Sequence, residues 1–400
     1  MLMVWVKGYF TSDLTEMDPE REEAMRLKES QDHEAIICKV KEFRLKKGWS
    51  QQDLATAVAV RRQAIYDIES GRYLPNTAIA LRLARVFACR VEDLFVEQAS
   101  PATEPVHITD DLDDSSTRLA LGRVRNRLVG LPLHGSEAIP FGLRPADGLL
   151  NPDGKSACIF SSSDRLEKTI ILMGCDPAFE ILGHHVTQRV PEARVHCRFA
   201  SSHRALRGLA EGMTHIAGTH LHNTGKAESN VIAARNKLSA MSSCILGFSL
   251  LEEGLMVAKG NPLGIRTAAD LAQPGIRFVN REEGAALRVL LDDHLKMAGI
   301  HTSAVNGYQN EVASHREGAF RIACNVADAA LGLRAVAEAF DLGFVPITAA
   351  RCDLVIPNDI TGHPTVKILL DVLQSAALRR EIDAIPGYEA GITGRLIGEW

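Results

Sequence analysis

The sequence predicts a multidomain chain, an all-α unit followed by a larger α/β unit, and three observations carry that prediction. Between residues 34 and 97, short amphipathic helical periods follow one another. After Thr117, short β-branched apolar runs alternate with helical periods, the pattern of strands buried in a mostly parallel sheet. The stretch between them, residues 98–116 (QASPATEPVHITDDLDDSS), has two prolines, an acidic run and little to bury, which is the composition of a linker. At 400 residues the chain also exceeds what one hydrophobic core usually supports.

Charge is distributed unevenly over these parts. The chain carries a formal net charge of -5, with 46% apolar and 24% charged residues, which argues against a protein that coats nucleic acid along its whole length. Residues 1–33 hold eight acidic and four basic residues and read as an acidic tail. Residues 34–97 hold eleven Lys/Arg and eight Asp/Glu, about +3 by difference, and form a basic module in an acidic chain. The eight cysteines (38, 89, 158, 175, 197, 244, 324, 352) are scattered with no Cys-x-x-Cys pair, so neither a zinc ribbon nor a disulfide framework is expected. No apolar run reaches about 20 residues, and the first residues lack the basic start and cleavage site of a signal peptide. A cytoplasmic location without a membrane segment is therefore expected.

In the basic module, Ser50-Gln51-Gln52-Asp53 opens a helix as a capping-box-like start, and that helix ends near Val58. The turn Val58-Ala59-Val60 leads to a second helix, Arg61 to Ser70, stopped by Gly71 with Pro75 beyond. Ile65 and Ile68 face inward, leaving Arg61, Arg62, Gln63, Tyr66 and Asp67 outside. Two short helices at a tight angle, the second offering Arg and Gln at its start, fit a major groove, where these residue types pair with guanine and adenine. Residues 37–95, with SQQDLA, RRQAIYDIESGRYLP, LRLARVF and VEDLF, resemble the Cro/C1-type (XRE family) helix-turn-helix domain. The resemblance implies five helices, a double-stranded DNA operator as partner, and a homodimer. It also implies that Gln51 touches phosphate, Arg61 sits at the backbone-contacting start of the recognition helix, and Arg62, Gln63 and Asp67 take base-reading positions. Three departures stand out: Ala59 where the turn usually has Gly, Arg61 where a Ser or Thr cap is usual (a cost of about 1 kcal/mol), and the Asp67 carboxylate facing a polyanion, suited to a cytosine amino group. A helical bundle used only for dimerisation is the bland alternative.

In open α/β sheets, ligands sit outside the carboxyl ends of strands, against the free N–H groups of the following helices. Four such ends stand out: Gly174-Cys175-Asp176-Pro177, with Asp176 as expected N-cap; Ala200-Ser201-Ser202; Gly218-Thr219-His220; and Asn280-Arg281, with Arg288 one turn into the next helix. Ser and Asp at helix starts are more often caps than ligand groups, and it is their recurrence at successive strand ends that points to a site. The segments GCDPAFEIL, FASSHRALRGLAEG, HIAGTHL, EEGLMVAKGNPLGIRTAADLAQPGIRFVNREEGAALRVLLD, VADAALGLRAVAEAFDLGFVPI and RCDLVIP resemble the type II periplasmic-binding-protein-like domain, related to molybdate-binding proteins, found fused behind helix-turn-helix domains.

That resemblance implies a two-lobed α/β sensor over residues 117–400. Lobe one would take about 168–257 and 351–400 and lobe two about 258–350, with crossover strands near Gly254–Val257 and Asp353–Ile356 and an added strand region at Arg118–Pro132. It implies effector contacts at Ser201, Ser202, Thr219, Asn280, Arg281 and Arg288, and less directly at Ser314 and His315. Cys175, Asp176 and His220 join them as strand-end groups. Where such domains often carry a Gly-Ser-Gly-Thr-Arg-like turn this chain reads Gly284-Ala285-Ala286-Leu287-Arg288, which loses hydroxyls and keeps the arginine.

The histidines, His184-His185 and His220-Leu221-His222 among them, lack third and fourth ligands at recognisable spacing, so no metal and no cofactor is expected. No nucleophile, base and orienter occur at motif spacing either, so no catalytic set is expected. The expected function is a transcriptional regulator whose C-terminal domain binds an oxyanion such as molybdate or tungstate, or a small organic acid, and alters operator binding. The alternative is a metal- or ligand-handling protein or enzyme that uses the helix-turn-helix for targeting.

Overall fold

The computed structural model describes residues 36–97, 102–109, 117–133, 143–223 and 228–400. The acidic tail at 1–33 and residues 98–101 and 110–116 of the linker lie outside the described residues. The chain divides into two compact units, the second beginning at Thr103.

Among the described residues, the first unit runs through β1 (Ile36–Cys38), α1 (Val40–Lys46), α2 (Gln51–Ala57), α3 (Arg62–Glu69), α4 (Thr77–Phe87), α5 (Val91–Leu94) and β2 (Phe95–Glu97). The helix starts follow from local chemistry. Ser50 and Asp53 form a reciprocal capping box on α2, and Asn76 accepts the Ile79 N–H to cap α4. The helices close over Val40, Leu54, Ala55, Val58, Ile65, Ile68, Leu83 and Leu94. β1 and β2 pair antiparallel, Ile36 opposite Glu97.

The second unit opens with β3 (Thr103–Pro105), β4 (His107–Ile108), β5 (Arg118–Val124), β6 (Arg127–Pro132), β7 (Gly148–Leu150) and β8 (Ser156–Ile159). These form one sheet in the order β3-β8-β7-β5-β6-β4. Residues 103–105 and 107–108, expected as linker, are thus strand: Val106 between them packs with Leu119, Leu121 and Leu128, and elements of two or three residues are too short to show a period. The strand region at 118–132 is a layer of the core. The alternate residues Ala120, Val124, Val129 and Leu131 pack on Ile171, Met173 and Leu206.

The chain continues through α6 (Ser163–Glu167), β9 (Thr169–Gly174), α7 (Phe179–Arg189), β10 (Arg194–Phe199), α8 (Ser202–Ala210), β11 (Ile216–Thr219), α9 (Ser229–Lys237) and β12 (Ser243–Val257). Then come β13 (Phe278–Arg281), α10 (Ala286–Met297), β14 (Glu311–Val312), α11 (His315–Ala323), β15 (Ala329–Leu333), α12 (Arg334–Ala339) and β16 (Gly343–Pro357). The chain closes with α13 (Pro364–Leu373), α14 (Ala376–Asp383), β17 (Tyr388–Glu389) and β18 (Leu396–Glu399). The main sheet runs β10-β9-β11-β16-β12-β15-β13-β14, with β17 and β18 also paired to β12.

β12 and β16 are 15 residues each and run antiparallel through both lobes, from Ser243 opposite Pro357 to Val257 opposite Gly343. Phe248 and Leu251 belong to the core of lobe one, whereas Leu255 and Val257 belong to that of lobe two. The passage between lobes therefore falls near Glu252–Gly254 on β12 and Thr348–Ala349 on β16, inside the strands rather than at Val257 and Arg351. β12 is largely buried in both lobes, so its apolar pattern carries no mark of the boundary, whereas β16 is half-buried to exposed over residues 343–349. The ladder shifts register at Glu253/Gly254, where a Cβ on Gly254 would lie 2.1 Å from the Val345 carbonyl oxygen.

Candidate functional site

In the first unit, the turn between α2 and α3 holds Ala59 at φ +54°, the left-handed conformation for which glycine is usual. Arg82 Nη1 donates to the Val58 carbonyl at 2.9 Å and pins that turn from α4. Arg61 is the N-cap of α3 in extended conformation without a side-chain cap bond. Arg61, Arg62, Gln63 and Tyr66 are exposed along α3, with Asp67 half-buried beside them. Gln63 Nε2 donates to Asp67 Oδ1 at 3.0 Å, one turn apart, so the carboxylate already has a donor on the helix surface. The Arg72 guanidinium lies 5.5 Å from the Tyr66 ring centre.

Gln51 occupies a less open position. Its Nε2 donates at 3.0 Å to Glu69, which is gripped by Arg44 Nε at 2.6 Å and Nη2 at 2.9 Å. The three residues tie α1, α2 and α3 together. The pair is buried, with side chains 9% and 3% exposed. Residues 25 positions apart give no local signal, and the sequence reading missed this pair.

In the second unit, a cleft is lined by Cys175, Ser201, Ser202 and His220 from lobe one and by Arg281, Ala285, Ala286, Leu287 and His315 from lobe two. These residues lie at the carboxyl ends of β9, β11 and β13 and at the starts of α8, α10 and α11. The cleft leaves about 10 Å³ for the centre of a water molecule, about what one water needs. His220 N–H donates to Ser202 Oγ at 3.1 Å. Cys175 Sγ lies 3.2 Å from His220 Nδ1, and His220 Nε2 lies 3.2 Å from Glu253 Oε1. Burial opposes a charge on His220, but Cys175, Glu253 and Asp176 outweigh it and hold the imidazole up to about 10. His315 is pushed well below its ordinary value by burial and by the charges of Arg281 and His220. Arg281, 2% exposed, pairs with Glu282 at 2.9 Å, sits 3.2 Å from His315 Nδ1, and lies over the Phe199 ring.

Of the strand-end residues singled out from the sequence, Cys175, Ser201, Ser202, His220 and Arg281 meet at this cleft, and His315 joins them. Asp176, Thr219, Asn280 and Arg288 do not line it. Asp176 is not the N-cap of α7, which begins at Phe179. Its carboxylate accepts the Ala178 N–H at 2.8 Å, the Tyr388 hydroxyl at 2.7 Å and the Ser249 hydroxyl at 3.2 Å. Thr219 Oγ1 faces the Asp353 carbonyl at 3.5 Å, and Asn280 Nδ2 donates to the Tyr308 carbonyl at 3.1 Å. Arg288 pairs with Glu311, donates to the Arg281 carbonyl and stacks on Tyr308.

Glu253 was missed, although a carboxylate within the apolar run of β12 was its visible signal; it is fully buried. His222 Nε2 bonds its other oxygen. Among the described residues, no group of three or more His, Cys, Asp or Glu stands at metal-binding geometry, and no helix is long and apolar enough to cross a membrane.

The anchoring of Asp176 gives a test of stability. Burial is the largest influence on this carboxyl and raises it, while the donors oppose that rise. Tyr388→Phe removes one donor and is expected to cost about 1–3 kcal/mol in urea unfolding; an unchanged midpoint would show that the hydroxyl holds nothing.

Comparison with known proteins agrees with both units. A helix-turn-helix family model matches residues 40–94, and a PBP superfamily domain model matches residues 183–374. An HTH-type transcriptional regulator of Archaeoglobus fulgidus is 47% identical over 58 residues, covering 14% of this chain and 83% of the relative. YvgK of Bacillus subtilis strain 168 is 28% identical over 230 residues, covering 58% of this chain and 74% of the relative. Among solved structures, the sulfate-binding protein SubI of Mycobacterium tuberculosis is similar at TM-score 0.41 and 14% identity, over 55% of this chain and 86% of that one. The chain belongs to the XRE-type helix-turn-helix transcriptional regulators and carries a periplasmic-binding-protein-like ligand-binding domain behind the helix-turn-helix.

Proposed function

We propose that the chain binds an operator as a homodimer through α3, and that a small anionic effector in the cleft between the lobes changes operator affinity. On the DNA side, Arg61 and Gln51 serve the phosphates, and Arg62, Gln63, Tyr66 and Asp67 serve the base edges. Two such helices must stand about 34 Å apart to read successive major grooves, so a modest change in dimer geometry suffices to release the duplex. A duplex DNA partner places the protein in the cytoplasm.

One observation carries the effector reading. Cys175, Ser201, Ser202 and His220 of lobe one and Arg281 and His315 of lobe two converge on one cleft, where helix starts supply free N–H groups. Protonated His220 and Arg281 favour an anion, either an oxyanion such as molybdate or tungstate or a small organic acid. An effector that prefers one arrangement of the lobes shifts the population toward it.

The test is thermal unfolding of the full chain against a panel of oxyanions and carboxylates. A ligand at about 100 times its Kd adds about 2.7 kcal/mol of stability. Ser202→Ala combined with Arg281→Ala is expected to abolish the best response, and an undiminished response in that variant would move the effector elsewhere.

A further inference from the structure

We propose that Cys175 is a covalent modification site, a thiol that a hydroperoxide oxidises to the sulfenic acid with His220 as its base and Glu253 as the positioning residue. The inference goes beyond the effector reading, since it concerns bond formation at sulfur rather than reversible binding, and it stands whichever anion the cleft takes.

The sequence shows no nucleophile, base and orienter at motif spacing. The fold assembles the three from separate strand ends: Cys175 follows β9, His220 follows β11, and Glu253 lies within β12. Sγ lies 3.2 Å from Nδ1, the distance at which the ring takes the thiol proton. On the other side of the ring, Nε2 lies 3.2 Å from Glu253 Oε1. That oxygen is buried and has no hydrogen-bond partner among the described residues, and the His220 imidazolium is the group that faces it. Glu253 is held in place by His222 on its other oxygen, and the His220 backbone is fixed by Ser202. His220, held up to about 10 mainly against its burial by Cys175 and Glu253, suits the acceptor of that proton.

The size of the cleft selects the reactant. With about 10 Å³ for the centre of a water molecule, it asks least of the lobes when the reactant is only two oxygen atoms across. In the step, the Cys175 proton stands on His220 as the imidazolium, and the sulfur lone pair attacks one peroxide oxygen. The S–O bond forms as the O–O bond breaks, sulfur loses two electrons and the peroxide oxygens gain them. The departing hydroxide takes the proton back from His220 and leaves as water. The product is Cys175 sulfenic acid, which a thiol reductant reverses. Its added oxygen stands between the lobes beside Arg281, where it alters how closely they approach.

Among the other cysteines are internal controls. Burial pushes the thiols of Cys38, Cys89, Cys244 and Cys352 above their ordinary value, Cys352 furthest, whereas Cys324 is exposed. Accessibility alone therefore favours Cys324 over Cys175, which is only 4% exposed.

The test treats the folded full chain with limiting hydrogen peroxide, traps sulfenic acid with a cyclic diketone, and measures labelling at each cysteine by mass spectrometry. Cys175 is expected to label before Cys324. Labelling of Cys324 first, or none at Cys175, overturns the proposal without any variant. His220→Gln is expected to slow labelling of Cys175 by about 100-fold with Cys324 unchanged. Glu253→Gln is expected to lower the ultraviolet thiolate absorbance that Cys175→Ser removes, a signature that a purely structural role leaves in place. An undiminished Cys175 rate in His220→Gln, at unchanged thermal unfolding, sinks the base assignment. The anion panel is scored separately, so failure there leaves the thiol result standing, and the reverse.

Discussion

Replacing Arg62 and Gln63 together by alanine is expected to weaken operator binding by about 3–4 kcal/mol, since each base-reading pair contributes about 1–3 kcal/mol. Both side chains are exposed at the first turn of α3 and Arg62 makes no ion pair among the described residues, so their loss leaves the helical core untouched. The measurement is a binding isotherm on the operator and on scrambled duplex. Discrimination between the two is expected to collapse while folding, read by circular dichroism, persists. Arg61→Ala provides the contrast, with weaker binding to every sequence and a salt slope reduced by about one, as expected of a phosphate contact. If the double variant keeps its preference for the operator, α3 is not the reading helix.

Glu69→Ala is expected to destabilise the first unit by about 3 kcal/mol because it strands the buried Arg44 guanidinium without its carboxylate. A domain of this size has only several kcal/mol of net stability, so much of the protein loses its DNA-binding unit at 37 °C. The same contact gives a pH dependence. Burial raises the Glu69 carboxyl, but the Arg44 and Gln51 hydrogen bonds and the Arg44 charge outweigh burial and hold it below the ordinary carboxylate range. A carboxyl depressed in the folded state stabilises above its unfolded value and loses that contribution as pH falls through the folded one. Stability of this unit is therefore expected to decline below about pH 4.5, and Glu69→Gln is expected to flatten that decline. An acid limb of the same slope in Glu69→Gln would assign it to other groups.

How much of this was legible in the sequence depends on the range of the interaction. The Ser50/Asp53 cap and the inward faces of Ile65 and Ile68 are written within one or two helical turns, so they could be read directly. The cleft was legible to the resolution of a strand end and no finer. Adjacent residues of an extended chain point to opposite sides. At three of the four strand ends, one residue of the named pair therefore reaches the cleft and the other turns into the fold: Cys175 but not Asp176, His220 but not Thr219, Arg281 but not Asn280; Ser201 and Ser202, where the chain enters α8, both line it. Choosing between the members requires the register of the strand, which the sequence does not number. Glu253 and the Arg44–Glu69 grip depend on neighbours brought together by topology, and the three-residue strand within the apparent linker was too brief to show alternation.

The antiparallel pairing of Ile36 with Glu97 makes the helical unit a closed cassette whose incoming and outgoing chain sit side by side, about 5 Å apart. Such a unit can be spliced in front of an unrelated module without threading new chain across its surface. It also carries a mechanical fuse. Tension arriving through Glu97 loads the short ladder from its open end and unzips it one pair at a time, so β2 can peel away while α2 and α3 keep their grip on each other.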